Sequence, residues 1–390
     1  MREDYKRLGK YIRKIDVRNK EEKDFPLLGV SVAKVFIPSI ANTVGTDFGK
    51  YKIVKRNQFT YIPDTSRRGD KIGLALLENY DAALVSQAYT IFEITDHEEL
   101  LPEYLMMWFK RPEFDRYARF ISHGSVREIF DWDDMCDVML PVPSLEQQRE
   151  IVAEYQAIEK RIQLNDQLIL KLEDTAQTIY RRWFVEGVNS ENLPEGWELN
   201  RFTDVVKLGG GGTPDTNNQS FWNGEIPFFT PADIGNHYYS TKTLKSITHE
   251  GLNNSSTKLY PKDTIFVTAR GTVGAVTIAG SSMTMNQSCY SISGKNPFYL
   301  HQLALQTMQN LKKEAVGAVF GALVTKDFEN QLIIDPPEKL KNKYNNEVSS
   351  LYKFILLKTC ENHKLDELKL LTMSKLAQNE PSILKECYDI

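Results

Sequence analysis

The amino-acid sequence predicts an α+β protein: two β-rich α/β domains separated by two long helices that pair as an antiparallel coiled coil, related by a pseudo-twofold internal repeat. Three observations support this prediction. The chain has 390 residues, enough for two to three domains. A stretch rich in strand and turn residues precedes a helical stretch, and both recur in the same order. Each helical stretch carries apolar residues at helical spacing.

The composition is that of a globular protein. Hydrophobic residues make up 41% of the chain and aromatic residues 11%, which allows substantial cores. The net charge is -4, so any nucleic-acid binding must depend on local basic patches or on a basic partner. The four cysteines, Cys136, Cys289, Cys360 and Cys387, lie far apart, which argues against a zinc site or a disulfide framework.

The beginning of the chain does not resemble a secretory signal. Residues 1–20 carry eight basic and three acidic side chains and no apolar core. No stretch approaches the ~18 consecutive apolar residues that a membrane-spanning helix needs. We therefore expect a cytoplasmic protein that does not bind a membrane.

The internal repeat consists of four short similarities in the same order. Each is a strand-like run or a turn. The pairs are 58–61 with 263–267, 68–73 with 270–274, 85–89 with 285–290, and 139–143 with 332–336. Chance similarity is the alternative, but four ordered matches are much stronger than one. The repeat predicts globular domains at 1–143 and 188–335, helical regions at 144–187 and 336–378, and a tail at 379–390.

Both helical regions begin with capping signals. Ser144 can accept a hydrogen bond from the amide of Gln147, whose side chain can reach back, as in a capping box. In the second copy Asp335 can cap the helix, Pro336 can occupy its first position, and Glu338 follows.

The first helix has a heptad seam over more than four repeats, interrupted by Asn165. A single Asn in such a seam can fix the register at a cost in stability. About 43 residues at ~1.5 Å each give ~64 Å, which exceeds the width of a small domain. The other helix can cover a stripe of that length, although each helix could instead pack on its own globule. The predicted pairing residues are Ile151, Tyr155, Ile158, Ile162, Ile169, Leu172, Ile179, Tyr344, Val348, Leu351, Ile355 and Leu365.

A series of motifs opens the second globule. They are LPEGW at 193–197, GGGGTP at 209–214, FWNGEIPF at 221–228 and TPADI at 230–234. The PSLEQQ run at 143–148 begins the first helix. Together they resemble the specificity subunits of type I restriction-modification systems, and the resemblance covers essentially the whole chain. The first globule departs from the pattern, with LGKYI at 8–12 and LGV at 28–30 in place of the opening motifs.

The resemblance implies a function for each part of the chain. Each globule would bind one half of a bipartite double-stranded DNA target, and the helices would set the gap. The helices would also dock two modification subunits, which are adenine methyltransferases that use S-adenosylmethionine. Restriction subunits with ATP-driven translocase and nuclease activities would join the complex, with ATP and Mg²⁺ bound there. The chain itself is expected to hold no cofactor and to catalyse no reaction.

DNA recognition requires Arg for guanine, Asn or Gln for adenine, and Lys or Arg for phosphates. Residues 50–71 hold seven basic and two acidic side chains. The Arg-Gly pair at Arg68 recurs at Arg270, where glycine permits a close backbone approach. A solvated surface is the alternative interpretation of these charges. The candidate DNA-binding residues are Lys50, Lys52, Lys55, Arg56, Arg67, Arg68, Lys71, Thr213, Asn217, Asn218, Lys242, Lys245, Lys258 and Arg270.

The sequence contains no complete motif for catalysis. The NPFY run at 296–299 lacks the second proline of the base-holding motif of amino-methyltransferases and is interpreted as a turn before a helix. The glycines at 209–212 lack the Lys-Ser/Thr of a phosphate loop, and the six histidines show no metal-ligand spacing. Two other hypotheses stay open: the recognition portion of a split type II-like methyltransferase-nuclease, and a coiled-coil scaffold that does not bind DNA.

Overall fold

The chain forms two units, and both long helices run through the boundary between them. A computed structural model describes residues 5–21, 23–40, 45–65, 71–122, 128–314 and 321–376. The units are Met1–Lys160 with Asp366–Ile390, and Arg161–Leu365. The boundary therefore falls inside the helices Leu145–Phe184 and Glu338–Lys375, and not at their ends.

The first unit contains a four-stranded antiparallel sheet in its globule. Its elements in chain order are β1 (Tyr5–Arg7), β2 (Ile12–Ile15), β3 (Leu28–Val30), β4 (Phe36–Pro38), β5 (Lys52–Lys55), β6 (Phe59–Tyr61), β7 (Leu74–Leu76), β8 (Ala82–Val85), β9 (Thr90–Ile94), α1 (Pro102–Lys110), α2 (Pro112–Ile121), α3 (Trp132–Asp137), β10 (Met139–Pro141) and α4 (Leu145–Phe184). The sheet order is β2-β9-β6-β7. Phe59 lies opposite Phe92 in this sheet, and their rings stack at 4.8 Å over α1.

The second unit contains a five-stranded sheet with the order β12-β19-β16-β17-β14. The elements in chain order are β11 (Glu198–Arg201), α5 (Phe202–Val205), β12 (Lys207–Gly210), β13 (Trp222–Phe229), β14 (Tyr239–Ser240), β15 (Lys245–Ile247), α6 (His249–Asn253), β16 (Ile265–Thr268), β17 (Val276–Ala279), β18 (Thr284–Met285), β19 (Cys289–Ser293), α7 (Pro297–Glu314), α8 (Thr325–Glu329), β20 (Leu332–Asp335) and α9 (Glu338–Lys375). β14 joins β17 in parallel, and the other neighbours are antiparallel.

The two units repeat one topology. β6 pairs antiparallel with β7 and β9, and β16 pairs antiparallel with β17 and β19. In each copy the first strand pairs with the strand that precedes the long helix: β1 pairs with β10, and β11 pairs with β20. This pairing ties the start of each globule to the start of its helix. The repeat seen in the sequence is thus a repeat of strand order.

The long helices pair antiparallel within the second unit. Asn165 of α4 donates to Asn362 of α9 at 2.8 Å, and Tyr344 donates its hydroxyl proton to the carbonyl of Ala176 at 3.1 Å. From one contact to the next, the residue number rises in α4 and falls in α9, so the two helices run in opposite directions. The predicted pairing of the two helices is confirmed.

The same two helices also meet within the first unit. Thr372 donates to Glu154 at 3.2 Å, and Tyr155 shares a core cluster with Met373 and Leu376. This cluster continues into the aromatic core of the globule, which contains Phe109. The alternative, in which each helix packs only on its own globule, is not what the structure shows.

The buried face drifts by one residue from the predicted seam. Tyr155, Ile158, Ile169, Tyr344, Val348 and Ile355 are buried, whereas Ile151, Ile162, Leu172, Ile179, Leu351 and Leu365 are half-buried. Next to the half-buried Ile151, Ile179 and Leu351, the buried positions are Val152, Tyr180 and Tyr352. An α-helix has 3.6 residues per turn, so a strict 3.5-residue repeat drifts along a straight helix.

The start of α9 differs from the prediction. The first helical residue is Glu338, and the carbonyl of Pro337 accepts from the amides of Leu340 and Lys341. Asp335 accepts from the ammonium group of Lys341 at 3.0 Å instead of capping the helix. The cap of α4 agrees with the prediction more closely, because the amide of Gln147 donates to the Ser144 hydroxyl at 3.4 Å.

An aromatic cluster anchors both helices in the second unit. The ring of Phe184, at the end of α4, lies 5.1 Å from Tyr299 of α7 and 5.3 Å from Tyr344 of α9. Tyr180 donates to Gln306 at 2.9 Å and so satisfies its buried hydroxyl. Among the residues described, no helix combines the length and the apolar character needed to cross a membrane.

Candidate DNA interface

The glycine-rich loop of the second unit, at residues 209–212, packs closely against a neighbouring turn. A Cβ on Gly211 would lie 2.1 Å from the carbonyl oxygen of Asn286, and one on Gly212 would lie 2.6 Å from the amide nitrogen of Thr257. The amide of Gly212 donates to the Met285 carbonyl at 3.1 Å. Only glycine fits at these two positions, because the obstacles are backbone atoms. The loop is therefore held in place by close backbone packing and is not the flexible turn that its four glycines suggest.

The turn that receives this loop follows β18. The Asn286 carbonyl accepts from the amide of Cys289 at 3.2 Å, and the Asn286 side chain accepts from the amide of Ser288 at 3.0 Å. Gln287 stands at the exposed tip of the turn. The Thr213 hydroxyl donates to the side-chain oxygen of Gln287, which leaves the Gln287 amide nitrogen as a donor.

The loop that carries Arg270 reaches the same surface. It connects β16 to β17, and Gly271 has a φ of 74°, in the left-handed region that favours glycine. The amide of Ala269 donates to the carbonyl of Ser288 at 2.7 Å, which joins this loop to the turn of Gln287. Arg270 is exposed. The loops of Thr213, Gln287 and Arg270 therefore form one surface, called the loop surface below.

The loop surface has the chemistry that DNA contact requires. It offers a guanidinium group, a side-chain amide and a hydroxyl group, all on loops whose backbones are fixed by hydrogen bonds. Lys258 is exposed and follows Thr257, which packs on Gly212, so it lies at the edge of this surface. The sequence-based candidates Thr213, Lys258 and Arg270 are thus brought together.

The other candidates of the second unit lie elsewhere or serve the fold. Asn218 accepts from the amide of Ser220 and caps a short helix, and Asn217 donates to Asp215 at 3.2 Å. The ammonium group of Lys245 lies 5.6 Å from the centre of the Trp222 ring. Lys242 is exposed on the segment between β14 and β15. The structure does not place these four with the loop surface.

The described candidates of the first unit, apart from Lys52, are exposed or paired with an acidic residue. Lys55 and Lys71 are exposed, and Lys50 pairs with Asp47 at 3.3 Å. Arg56 pairs with Asp81 at 2.9 Å. Arg67 and Arg68 lie outside the described residues.

Lys52 requires a correction, because its side chain is buried. Its ammonium group donates to the carbonyl of Tyr89 at 2.8 Å and lies 3.5 Å from Asp16. Burial lowers the pKa of Lys52, and the nearby Asp16 carboxylate opposes that shift. Lys52 lies on the same face of β5 as the buried Val54, so its side chain points inward.

The first unit contains a turn equivalent to that of Gln287. The carbonyl of Ser86 accepts from the amide of Tyr89 at 3.1 Å, and the Ser86 hydroxyl oxygen accepts from the amide of Ala88 at 3.4 Å. Gln87 is exposed at its tip. Neither Gln87 nor Gln287 was among the sequence-based candidates, although the third repeat match contains both residues.

The part of the chain that the structure describes contains no candidate metal centre. Within it, no group of three or more His, Cys, Asp or Glu residues could hold a metal ion. His301 is fully buried against Tyr352, with 2.9 Å between Nδ1 and the hydroxyl oxygen, and burial lowers its pKa to about 3. It therefore stays neutral and serves the core. Asn296 donates to Glu338 at 2.8 Å, and α7 begins at Pro297, so the NPFY run is a helix start.

The fold thus defines a protein with two copies of one α/β domain, each followed by a long helix that pairs with the other. Residues 194–370 match the family model for the type I restriction modification DNA specificity domain. The chain is 23% identical to the type I restriction enzyme HindI specificity subunit of Haemophilus influenzae, over 84% of this chain and 87% of that protein. It is 31% identical to the type I restriction enzyme MjaIX specificity subunit of Methanocaldococcus jannaschii, over 35% of this chain and 33% of that protein.

A solved structure supports the fold. The S subunit of a type I restriction-modification system from M. genitalium aligns with 95% of this chain over 95% of its own length, with a TM-score of 0.58 and 12% identity. These comparisons confirm the resemblance that the motifs indicate. The chain is therefore similar to type I restriction-modification specificity subunits over most of its length, and residues 194–370 match their DNA specificity domain.

Proposed function

We propose that this chain is the DNA sequence-specificity subunit of a type I restriction-modification complex. The observation that carries the proposal is the repeated plan: two globules with the same strand order, each leading into a long helix, the second matched by the DNA specificity domain. Each globule reads one half of a bipartite target. Residues 1–143 and 188–335 are the proposed recognition domains, and 144–187 and 336–378 are the proposed spacers.

The helices dock two modification subunits in this proposal, and restriction subunits join through them. A repeated helix offers two similar surfaces, which suits two copies of one partner. Large apolar side chains remain exposed on the helices, and such residues are typical of protein-protein contacts when they cluster. They are Leu164, Leu168, Leu170, Phe354, Leu357, Leu368, Leu370 and Leu371.

The chemistry belongs to the partners in this proposal. S-adenosylmethionine, ATP and Mg²⁺ bind to the modification and restriction subunits, and this chain supplies recognition and assembly. The two alternatives are less well supported, because the HindI relative aligns over most of both proteins and is itself a specificity subunit.

Mapping of methylated adenines tests the proposal. The full chain is expressed with its modification subunits in a host without the system, and the genome is sequenced for methylated bases. We expect one bipartite motif, which disappears when this chain is omitted. Expression of the chain without modification subunits should give no methylation. Methylation by the chain alone, or methylation without a sequence motif, would contradict the proposal.

A further inference from the structure

The turns of Gln87 and Gln287 have the same hydrogen-bond pattern in the two proposed recognition domains. In each, the residue before the glutamine accepts the closing backbone hydrogen bond, with donor-acceptor distances of 3.1 Å and 3.2 Å. The side chain of that same residue, Ser86 or Asn286, accepts a second hydrogen bond from the backbone two positions later. Both turns connect corresponding strands, β8 to β9 and β18 to β19. The glutamine is exposed each time.

The surroundings of Gln287 point to a ligand outside the chain. Its side-chain oxygen accepts from Thr213, so the amide group is held with its nitrogen available as a donor. The adjacent loop carries the exposed Arg270. An amide donor and a guanidinium group on neighbouring loops both suit an anionic acceptor oxygen, and holding the amide in place lowers the entropy lost on binding.

The repetition narrows the choice of acceptor. Domains that read different half-sites need different base-reading residues, whereas the phosphate backbone is common to every DNA sequence. Building on the proposed function, we propose that Gln87 and Gln287 each donate a side-chain hydrogen bond to a DNA phosphate and so set the register of their domain on its half-site. Both glutamines are positioning residues, and neither selects a base.

Salt dependence distinguishes this role from that of a charged residue. A neutral amide releases no counterion on binding phosphate, whereas a Lys or Arg that neutralises one phosphate contributes about -0.9 to the slope of log K against log salt. Binding is measured for the full chain assembled with its modification subunits. The probes are a duplex with the mapped bipartite site and duplexes with one base pair changed in either half.

Gln287→Ala and Gln87→Ala should each weaken binding by about tenfold. The loss should be the same for every duplex, and the salt slope should not change. Arg270→Ala, the charged comparison, should reduce the slope by about one. Asn253→Ala removes an exposed amide from α6 and should bind as the unsubstituted complex does. Gln287→Lys should bind about as tightly as the unsubstituted complex, because a lysine also contacts phosphate. Its salt slope should be steeper than that of the unsubstituted complex by about one.

Two results would overturn the inference. If Gln287→Ala relaxes selectivity at one base pair, the residue reads a base. If binding is unchanged in both alanine variants, the glutamines serve only the turns. If the unsubstituted complex binds all duplexes equally, the proposed function itself fails. The inference alone fails if the unsubstituted complex is selective and both alanine variants bind as it does.

Discussion

Asn165 and Asn362 join the two long helices through a side-chain hydrogen bond of 2.8 Å. Both residues are buried, and Asn362 also donates to Asp166 at 2.6 Å. A shift in register would separate the two asparagines and bury polar groups without partners, which is costly. The pair therefore favours one alignment of the helices, as a polar residue within a heptad seam can do.

Removing one member of this pair should destabilise the second unit. We expect Asn165→Ala to lower the free energy of unfolding by about 1–3 kcal/mol, because the Asn362 oxygen loses its donor. Replacing both asparagines with leucine should recover this loss, since a buried polar pair often contributes less than apolar packing. Chemical denaturation followed by circular dichroism measures the change, and Gln163→Ala, at an exposed position of α4, is the control. Unchanged stability in Asn165→Ala would count against a structural role for the pair.

His237 links the second globule to α4 through two carboxylates. Its Nδ1 lies 3.7 Å from Glu173 Oε1, and its Nε2 lies 3.4 Å from Asp166 Oδ1. The interaction with Glu173 raises the pKa of His237, partial burial lowers it, and Asp166 raises it further, so the pKa is raised overall. A raised folded-state pKa stabilises the fold fully below the unfolded value of about 6.5, and this stabilisation is lost as the pH rises through the folded value.

The stability of the protein should therefore fall above neutral pH in a manner that depends on His237. We expect His237→Gln to be less stable than the unsubstituted protein at pH 6, with the difference shrinking as the pH rises past the folded-state pKa. Thermal unfolding between pH 6 and 9 measures this difference, and NMR titration of the imidazole gives its pKa directly. A difference that grows with pH, or a titration below 6.5, would show that the carboxylates do not act on His237 as described.

The glycine-rich loop offers a matched pair of substitutions. Gly211→Ala should destabilise the second unit by about 1–3 kcal/mol and weaken DNA binding, because its Cβ would collide with backbone and displace the Gln287 turn. A Cβ on Gly210 meets nothing within 4 Å, so Gly210→Ala should change neither property. Unfolding and DNA-binding measurements on the two variants test this contrast. Equal behaviour of the two would mean that the close packing of the loop is unimportant.

Lys52 and Lys55, on the same strand, offer a second matched pair of substitutions. Lys52→Ala should lower the free energy of unfolding by about 1–3 kcal/mol, because the Tyr89 carbonyl loses its donor inside the first unit. Lys55 is exposed, so Lys55→Ala should leave stability unchanged. Denaturation measures both. A stable Lys52→Ala variant whose salt slope for DNA binding is reduced would instead restore Lys52 to the DNA interface.

The large-scale plan could be predicted from the sequence because periodicity and repetition extend over many residues. The antiparallel helix pair follows from a stripe too long for one small domain to cover, and buried Asn165 lies on it as predicted. Single positions were harder, because each depends on local geometry. The stripe shifts from Ile179 to Tyr180 and from Leu351 to Tyr352 as the helical period departs from the heptad.

The candidate interface was predicted only in part. Charge identified Arg270, which is exposed on the loop surface, and Lys258 at its edge, but it also selected Lys52, whose charge is used inside the fold. Composition cannot show which face of a short strand points inward. Gln87 and Gln287 carry no charge, and they stand out only when the hydrogen bonds of the two turns are compared.

The most direct test of the bipartite mechanism changes the length of both helices. One heptad inserted after Lys160 of α4 and another after Leu365 of α9 would keep the seam in phase and lengthen the pair by ~10 Å, since each residue adds ~1.5 Å. With ~3.4 Å per base pair, the bipartite mechanism predicts the same two half-sites separated by a gap about three base pairs longer. Mapped methylation at the original gap, or a change in either half-site, would contradict it.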